Sequence, residues 1–171
     1  MGLDIAVAPG AYENYVGDEQ TDERWEREDL IFVHNLNGFK DRQDGMMEGF
    51  YKTTGITHKL HLSYGSYGHL REWIAERCLG MTLKQIWKDP CGAEVSIRKE
   101  TGEKAVGLVK LLNYADNEGT IGPLTSAMIA RALVDRRESI LGEDEWLCES
   151  YEALIEAFEG AADSNGFVVF C

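Results

Sequence analysis

The sequence predicts a single α+β domain, 1–171, in which a small mixed or antiparallel sheet is covered by three main helices. Short apolar segments with strand character lie near both ends of the chain, and longer segments with helical periodicity lie between them. Each amphipathic helix must bury one apolar stripe, and a sheet is the partner that this sequence offers. A chain of 171 residues is also long enough to form one domain with its own core.

Three segments are predicted to be strands of this sheet. Residues 3–8 alternate loosely and end at Pro9-Gly10, and residues 30–34 form a short apolar run. Phe167–Phe170 follows a Ser-Asn-Gly turn and predicts a last strand. The rest of residues 9–57 is acidic or rich in glycine and lacks clear periodicity, so we expect an irregular, loop-rich insertion there.

Three segments are predicted to be the main helices: 69–79, 124–140 and 145–162. The second follows Gly122 and opens on Pro123, whose missing N–H does no harm in a first helical turn. The third begins with acidic residues, which the helix dipole favours at that end. The expected apolar face of the second helix consists of Leu124, Met128, Ile129, Ala132 and Leu133.

Shorter elements lie between the first and second main helices. Thr82 is a candidate N-cap for a short helix that ends before Pro90. Residues 91–104 are charged and alternate in part, which favours a hairpin or a loop. Residues 106–114 are mostly apolar, and their pattern fits a strand as well as a helix.

The charge of the chain is strongly negative and unevenly distributed. The total is −13, with −8 over residues 1–50, +4 over residues 51–112 and −9 over residues 113–171. An excess of this size repels a nucleic-acid backbone, so nucleic acid is not an expected partner. The basic middle third has two interpretations: it pairs with the acidic flanks across the fold, or it forms a local site for a small anion.

Neither the cysteines nor any apolar run indicates a secreted or membrane protein. The spacing of Cys78, Cys91, Cys148 and Cys171 fits no zinc site, and we expect reduced thiols without a disulfide, a structural metal or a cofactor. No segment reaches the ~18 apolar residues that span a bilayer, and the acidic Asp4 does not suit a secretory signal. The sequence therefore predicts a cytoplasmic protein without a membrane partner.

The first candidate ligand site is the turn that leads into the helix at 69–79. The start of a helix offers free N–H groups and a partial positive charge, which suit a phosphate or a carboxylate. Glycines allow a close approach of the backbone, and tyrosines are able to stack on a base. The alternative is an ordinary turn with a serine cap. The candidate residues are Ser63, Tyr64, Gly65, Ser66, Tyr67, Gly68 and Arg71.

The second candidate ligand site is the loop before Pro123. Its acidic and amide side chains suit ribose hydroxyls, or a hard cation bound through oxygen atoms, although the ligand order of an EF-hand is missing. Here too the alternative is a turn stabilised by local hydrogen bonds. The candidate residues are Asn113, Tyr114, Asp116, Asn117, Glu118, Gly119 and Thr120.

No catalytic motif stands out, which favours a role without catalysis but leaves an enzyme open. His58 and His61 form an HxxH pair that would point to opposite faces of a strand, and no carboxylate or cysteine completes a familiar zinc set with His69. A pair such as His69 and Cys78 is too common to indicate a nucleophile.

Four short motifs give the chain a resemblance to a family of small proteins from bacteriophages and prophages. The likeness covers the first strand and most of residues 63–171, but not residues 9–57. It implies one shared fold and a phage-like origin in a bacterial host, and it brings no activity or catalytic residue with it. The motifs are MGLDI at 1–5, GSYG with REW at 65–73, NEGTIGP at 117–123 and AFEGAAD at 157–163.

These observations lead to three functional hypotheses. The first is a phage counter-defence protein that sequesters a small nucleotide signal, such as a cyclic nucleotide or an ADP-ribose derivative, without changing it. The phosphate would meet Arg71 and the two helix starts, and Asp116 and Glu118 would hold ribose hydroxyls. The second is an inhibitor that binds a host protein through an acidic surface. The third is a nucleotide-processing enzyme, and a homo-oligomer is compatible with each.

Overall fold

The computed structural model describes residues 2–34, 38–114, 119–140, 142 and 144–171, and it confirms the α+β class. The strands within these ranges are β1 (Gly2–Ala8), β2 (Tyr15–Gly17), β3 (Leu30–Val33), β4 (Gly49–Lys52), β5 (Thr57–Ser63), β6 (Gly119–Ile121) and β7 (Phe167–Phe170). The α-helices are α1 (Asp22–Trp25), α2 (Tyr64–Leu79), α3 (Leu83–Lys88), α4 (Pro90–Thr101), α5 (Val106–Leu112), α6 (Pro123–Asp135) and α7 (Glu145–Asp163). Two short 3-10 helices cover Lys40–Arg42 and Arg137–Ile140.

The larger sheet is antiparallel and has the strand order β5-β1-β7-β6. The central strand β1 pairs with β5 on one side and with β7 on the other, and its Leu3 and Ile5 are fully buried. Helices α2, α6 and α7 pack against this sheet, as the sequence predicted for the three main helices. The main core of the protein therefore lies between these helices and the sheet.

Residues 30–34 do not belong to this sheet, so that part of the prediction is wrong. Strand β3 lies in a second antiparallel sheet with the order β2-β4-β3. The larger sheet is completed by β5 and β6, and β3 pairs instead with its own neighbour along the chain, β4. The inner face of the small sheet packs Ile31, Val33 and Tyr51 against Ala8 and Phe167. The segment 9–57 thus contributes a sheet of its own.

Two helical predictions need correction. Helix α2 begins at Tyr64, five residues before the predicted start, because the hydroxyl of Ser63 accepts a hydrogen bond from the N–H of Ser66 and caps the helix. Residues 91–104 are mostly helix α4 and not a hairpin. The carboxylate of Asp89 caps this helix at Gly92, and the buried Ala93 and Ile97 are spaced by four residues, which suits a helix.

Most of the ambiguous segment at 106–114 is helix α5, and the remaining predicted boundaries lie close to the observed ones, except that α6 ends five residues before the predicted end at 140. Thr82 caps α3 through a capping box with Gln85, and Pro123 is the first residue of α6. Helix α6 ends at Asp135 and is followed by the 3-10 turn, whereas α7 runs as predicted.

Candidate functional site

The start of α2 is exposed on one side and buried on the other. Ser63, Tyr64 and Gly65 lie at the surface, and the tyrosine ring is 38% exposed. Tyr67 is fully buried, with its ring 6.2 Å from that of Phe170 in β7. Of the aromatic rings that were expected beside this turn, only Tyr64 is therefore presented to a ligand.

Arg71 lies inside the protein and not at its surface. Its side chain is among the buried polar groups, and Nη1 donates a hydrogen bond to the carbonyl oxygen of Tyr114 at 3.1 Å. The guanidinium carbon lies 4.6 Å from the ring centroid of Tyr67 and 5.3 Å from that of Trp87. These contacts bring the two predicted segments together, but they use Arg71 to join α2 to the end of α5.

The described part of the second segment is also tightly packed. The hydroxyl of Tyr114 donates a hydrogen bond to the carbonyl oxygen of Thr120 at 2.8 Å, and burial raises the pKa of this tyrosine above its ordinary value. Gly119 adopts a φ of 153° at the start of β6, and Asn113 is the half-buried C-cap of α5. The predicted ligand residues Asp116, Asn117 and Glu118 lie outside the described residues.

The helix start that follows this segment holds a carboxylate from elsewhere in the chain. Asp44 accepts hydrogen bonds from the backbone N–H of Thr125 at 2.9 Å and from its hydroxyl at 2.7 Å. A side chain at Gly122 would clash with this carboxylate. The partial positive charge at the start of α6 is therefore already matched by an internal anion. Local sequence patterns do not indicate this contact, because Asp44 and Thr125 are 81 residues apart.

The structure also forms a groove that the sequence did not predict, with a volume of about 790 Å³. It lies along the outer side of α6, between that helix, the end of α7 and the turn at 103–104. A volume of this size is typical of ligand pockets. The apolar side chains that line it are Leu124, Ala127, Met128, Ala130, Val134 and Ala162.

Leu124 differs most clearly from its predicted place in the core. Ile129, Ala132 and Leu133 are buried as expected, but Leu124 is 71% exposed, and Met128 lines the groove. A single exposed leucine is ordinary, but beside the other apolar side chains of the groove Leu124 adds to an apolar patch of the kind that marks interaction sites. The periodicity of α6 placed all five residues on one stripe, and it could not show where the neighbouring helices end.

The rim of the groove combines carboxylates with fewer cations. Lys104 lies 3.8 Å from Asp135, and Nε of Arg131 donates a hydrogen bond to the carbonyl oxygen of Ala127 at 3.2 Å. Four carboxylates and two cations give the rim a net charge of −2. The charged residues of the lining are Glu103, Lys104, Arg131, Asp135, Glu159 and Asp163.

A row of polar side chains crosses the larger sheet but does not form an activated nucleophile. Asp4 lies between its neighbours His61, with Nδ1 and Oδ1 2.7 Å apart, and Cys171. Burial and the nearby Asp4 raise the pKa of the Cys171 thiol, which lowers the fraction of the reactive thiolate. Within the described ranges, no group of three His, Cys, Asp or Glu side chains has a geometry suited to a metal ion.

Protein-family models, characterised proteins and solved structures give no match to this chain. Among the residues that the structure describes, no helix combines the length and the apolar character needed to cross a bilayer. The function is therefore inferred from the groove and from the exposed surfaces of the molecule itself.

Proposed function

We propose that this protein is a non-catalytic binding protein whose groove along α6 accepts a basic amphipathic helix of a partner protein. The groove of about 790 Å³ is the observation that carries this proposal. An apolar groove with a charged rim is the surface into which an amphipathic helix places its apolar face. This is the second of the functional hypotheses that the sequence raised, an inhibitor with an acidic binding surface.

The shape of the groove suits a helix. Its lining follows α6 from Leu124 to Asp135, a length of roughly 16 Å at 1.5 Å per residue, which equals about three helical turns. The small side chains of Ala127, Ala130 and Ala162 allow a close approach of a partner backbone. Leu124 at one end and Val134 at the other then contact apolar side chains of the bound helix.

The charge of the groove suits a basic partner. The rim carries −2, and the whole chain carries −13, so Lys and Arg side chains beside the apolar stripe of the partner meet carboxylates. The same charge disfavours a second copy of this chain, because two acidic rims would face each other. With the phage-like origin that the resemblance implies, the partner is a protein of the bacterial host, and binding sequesters it.

The experiment uses a synthetic helical peptide with leucines at i, i+3 and i+7 and lysines on the remaining positions. Leu124→Gln removes exposed apolar surface without charge and should weaken binding about fivefold, ~1 kcal/mol for the loss of one apolar contact at the end of the groove. The matched control is Val95→Gln, since Val95 is 48% exposed on α4, outside the groove. Calorimetry measures affinity, and chemical-shift changes locate the peptide. No binding, or equal weakening by the control, would overturn the proposal.

A second pair of variants tests the charge of the rim. Glu159→Lys reverses one rim carboxylate on α7, whereas Glu149→Lys makes the same change at an exposed position of α7 outside the groove. Only the first should weaken binding of the lysine peptide, and it should do so more at low salt. Equal effects of both variants would mean that only the total charge matters and that the groove is not the site.

Nucleotide sequestration is a second candidate, and the observation that favours it is the exposed ring of Tyr64 at the start of α2. A nucleotide would stack its base on the exposed Tyr64 and direct its phosphate to the start of α2. Arg71→Ala is a poor test because it opens the core. Tyr64→Ala is the better one: the loss of stacking should weaken binding of cyclic dinucleotides or ADP-ribose by ~1–3 kcal/mol in calorimetry. Unchanged affinity, or no binding by the wild type, would reject this site.

A further inference from the structure

The outer face of the small sheet carries a cluster of aromatic rings. Phe32 of β3 and Phe50 of β4 are direct cross-strand neighbours, with ring centroids 4.9 Å apart. Trp25 of α1 lies on both, 5.2 Å from Phe32 and 5.0 Å from Phe50. Phe50 is buried beneath this cover, but Trp25 itself is 50% exposed. We call this surface the Trp25 face.

The segment that carries Trp25 is strongly acidic. Residues 18–29 contain seven Asp or Glu and two Arg, a net charge of −5. Both arginines already have contacts. The guanidinium carbon of Arg24 lies 5.7 Å from the ring centroid of Phe50, and Arg27 forms a bidentate ion pair with Asp29. Within the described ranges, no ion pair joins Glu23 or Glu26 to a cation. Asp22, Glu23 and Glu26 are therefore exposed on or next to the helix that carries the indole, whereas Asp29 is paired with Arg27 and Lys52.

We propose that the Trp25 face binds an arginine-rich segment of a partner protein, with one guanidinium stacked on the indole of Trp25. The face of an indole attracts a cation, and the flat guanidinium stacks on it while it donates hydrogen bonds to nearby carboxylates. The protein already uses this chemistry within its own fold, since Arg24 lies over Phe50 and Arg71 over Trp87. This proposal does not rest on the groove along α6.

The charge around Trp25 selects among the possible partners. A net charge of −5 in twelve residues attracts an arginine-rich peptide and repels a nucleic acid. It also disfavours a second copy of this chain, which would bring the same carboxylates to the contact. Trp87, which is equally exposed, differs because its ring already covers the protein's own Arg71.

The experiment titrates a hexa-arginine peptide into the full chain and measures affinity by calorimetry. Trp25→Leu keeps apolar cover over the phenylalanines but removes the indole, and it should weaken binding about two- to fivefold, the effect of one exposed cation–π contact. Trp146→Leu is the control, because Trp146 is 37% exposed at the start of α7. Hexa-lysine should bind more weakly than hexa-arginine, since an ammonium stacks less well.

A second variant keeps the proposal testable if Trp25→Leu disturbs the small sheet. Glu23→Gln with Glu26→Gln leaves the rings in place and should also weaken hexa-arginine binding, whereas Leu124→Gln in the groove should leave it unchanged. The proposal would be overturned if the Trp25→Leu variant and the double glutamine variant both bound hexa-arginine with wild-type affinity. It would also be overturned if Trp146→Leu weakened binding as much as Trp25→Leu. Loss of binding in Leu124→Gln would instead assign the peptide to the groove.

Discussion

The carboxylate of Asp44 occupies the first turn of α6 and accepts two hydrogen bonds from Thr125. The residue itself adopts a φ of 53°, and its carbonyl oxygen accepts a hydrogen bond from the hydroxyl of Tyr12. One side chain thus fixes the turn after the first 3-10 helix to α6, and it takes the place that a bound anion would need. Whether a helix start is open to a ligand depends on such long-range contacts, here across 81 residues.

Replacement of this carboxylate should destabilise the protein. Asp44→Ala removes the cap of α6, and we expect the free energy of unfolding to fall by about 1–2 kcal/mol, the usual cost of a lost N-cap. Asp44→Asn keeps one acceptor and should lose less. Asp18→Ala, at an exposed position, serves as the control in urea denaturation. An equal urea midpoint for Asp44→Ala and Asp18→Ala would contradict the role of Asp44 as the cap of α6.

Replacement of two helical glycines by alanine should change the stability of the protein in opposite directions. A Cβ at Gly107 of α5 would lie 2.5 Å from the carbonyl oxygen of Met128 and 2.9 Å from Cα of Ile129, so α5 and α6 would have to separate. A Cβ at Gly68 of α2 meets no atom within 4 Å. Gly107→Ala should therefore lower the melting temperature, and Gly68→Ala should stabilise the protein by about 0.5–1 kcal/mol. The prediction is contradicted if the melting temperatures of both variants lie above that of the wild type, or if both lie below it.

At the scale of whole elements, the sequence predicted those that local signals determine. Thr82 with Gln85 forms a capping box, and Pro123 opens α6, because both depend on side chains within a few residues. Helix α7 was predicted almost to its ends, since its apolar stripe and its acidic first turn agree. Strands β1 and β7 were recognised by their apolar character and by the turns beside them.

Prediction from the sequence was wrong where contacts between distant parts of the chain determine the structure. Nothing local shows that β3 pairs with β4 in a separate sheet, because strand pairing depends on contacts between distant segments of the chain. The prediction of the candidate site was wrong for the same reason. Residues Ser63 to Gly68 were assigned to a turn, but the cap at Ser63 makes residues 64–68 part of α2, and in this helix Tyr67 and Arg71 are buried. The groove depends on where α7 ends beside α6, which no periodicity reports.

The contact between the first 3-10 helix and α5 should depend on pH. Burial alone would raise the pKa of Asp41, but the hydrogen bond from Lys110 at 2.6 Å and the charge of Arg42 outweigh it and lower this pKa. A pKa that is lower in the folded state adds stability above the ordinary value of ~3.9, and that stability is lost as the pH falls through the folded value. The carboxylate is half exposed, so the gain is under about 1 kcal/mol.

Asp41→Asn is the variant that tests this dependence. At pH 7 it should melt slightly below the wild type, and the difference should disappear as the pH falls from ~5 to ~2 because the wild-type carboxylate is then protonated. Melting curves at each pH measure it. A difference that stays constant or grows toward low pH would show that Asp41 acts through packing and not through its charge.

At the scale of the whole molecule, the basic middle of the chain neutralises part of its acidic flanks. Ion pairs join Lys59 to Glu156, Lys104 to Asp135 and Lys110 to Asp41, and each links the middle third to another third of the chain. This supports the interpretation in which the basic residues pair across the fold, and it leaves the remaining acidic charge at the surface. The excess of −13 then acts on both stability and binding.

Salt should therefore change stability and binding in opposite directions. At an ionic strength of about 0.15 M the screening length is ~8 Å, so raising the salt from low millimolar to this level weakens repulsion between surface carboxylates and should raise the melting temperature. The same screening weakens the attraction of the groove for a lysine-rich helix, and its affinity should fall steadily. A nucleotide is an anion, and an acidic protein would hold it more tightly, or equally well, as salt rises. Calorimetry of both ligands at several salt concentrations thus separates the two functions, because only the lysine-rich peptide should lose affinity as the salt rises. Binding of the lysine-rich peptide that is insensitive to salt would exclude recognition through the acidic rim.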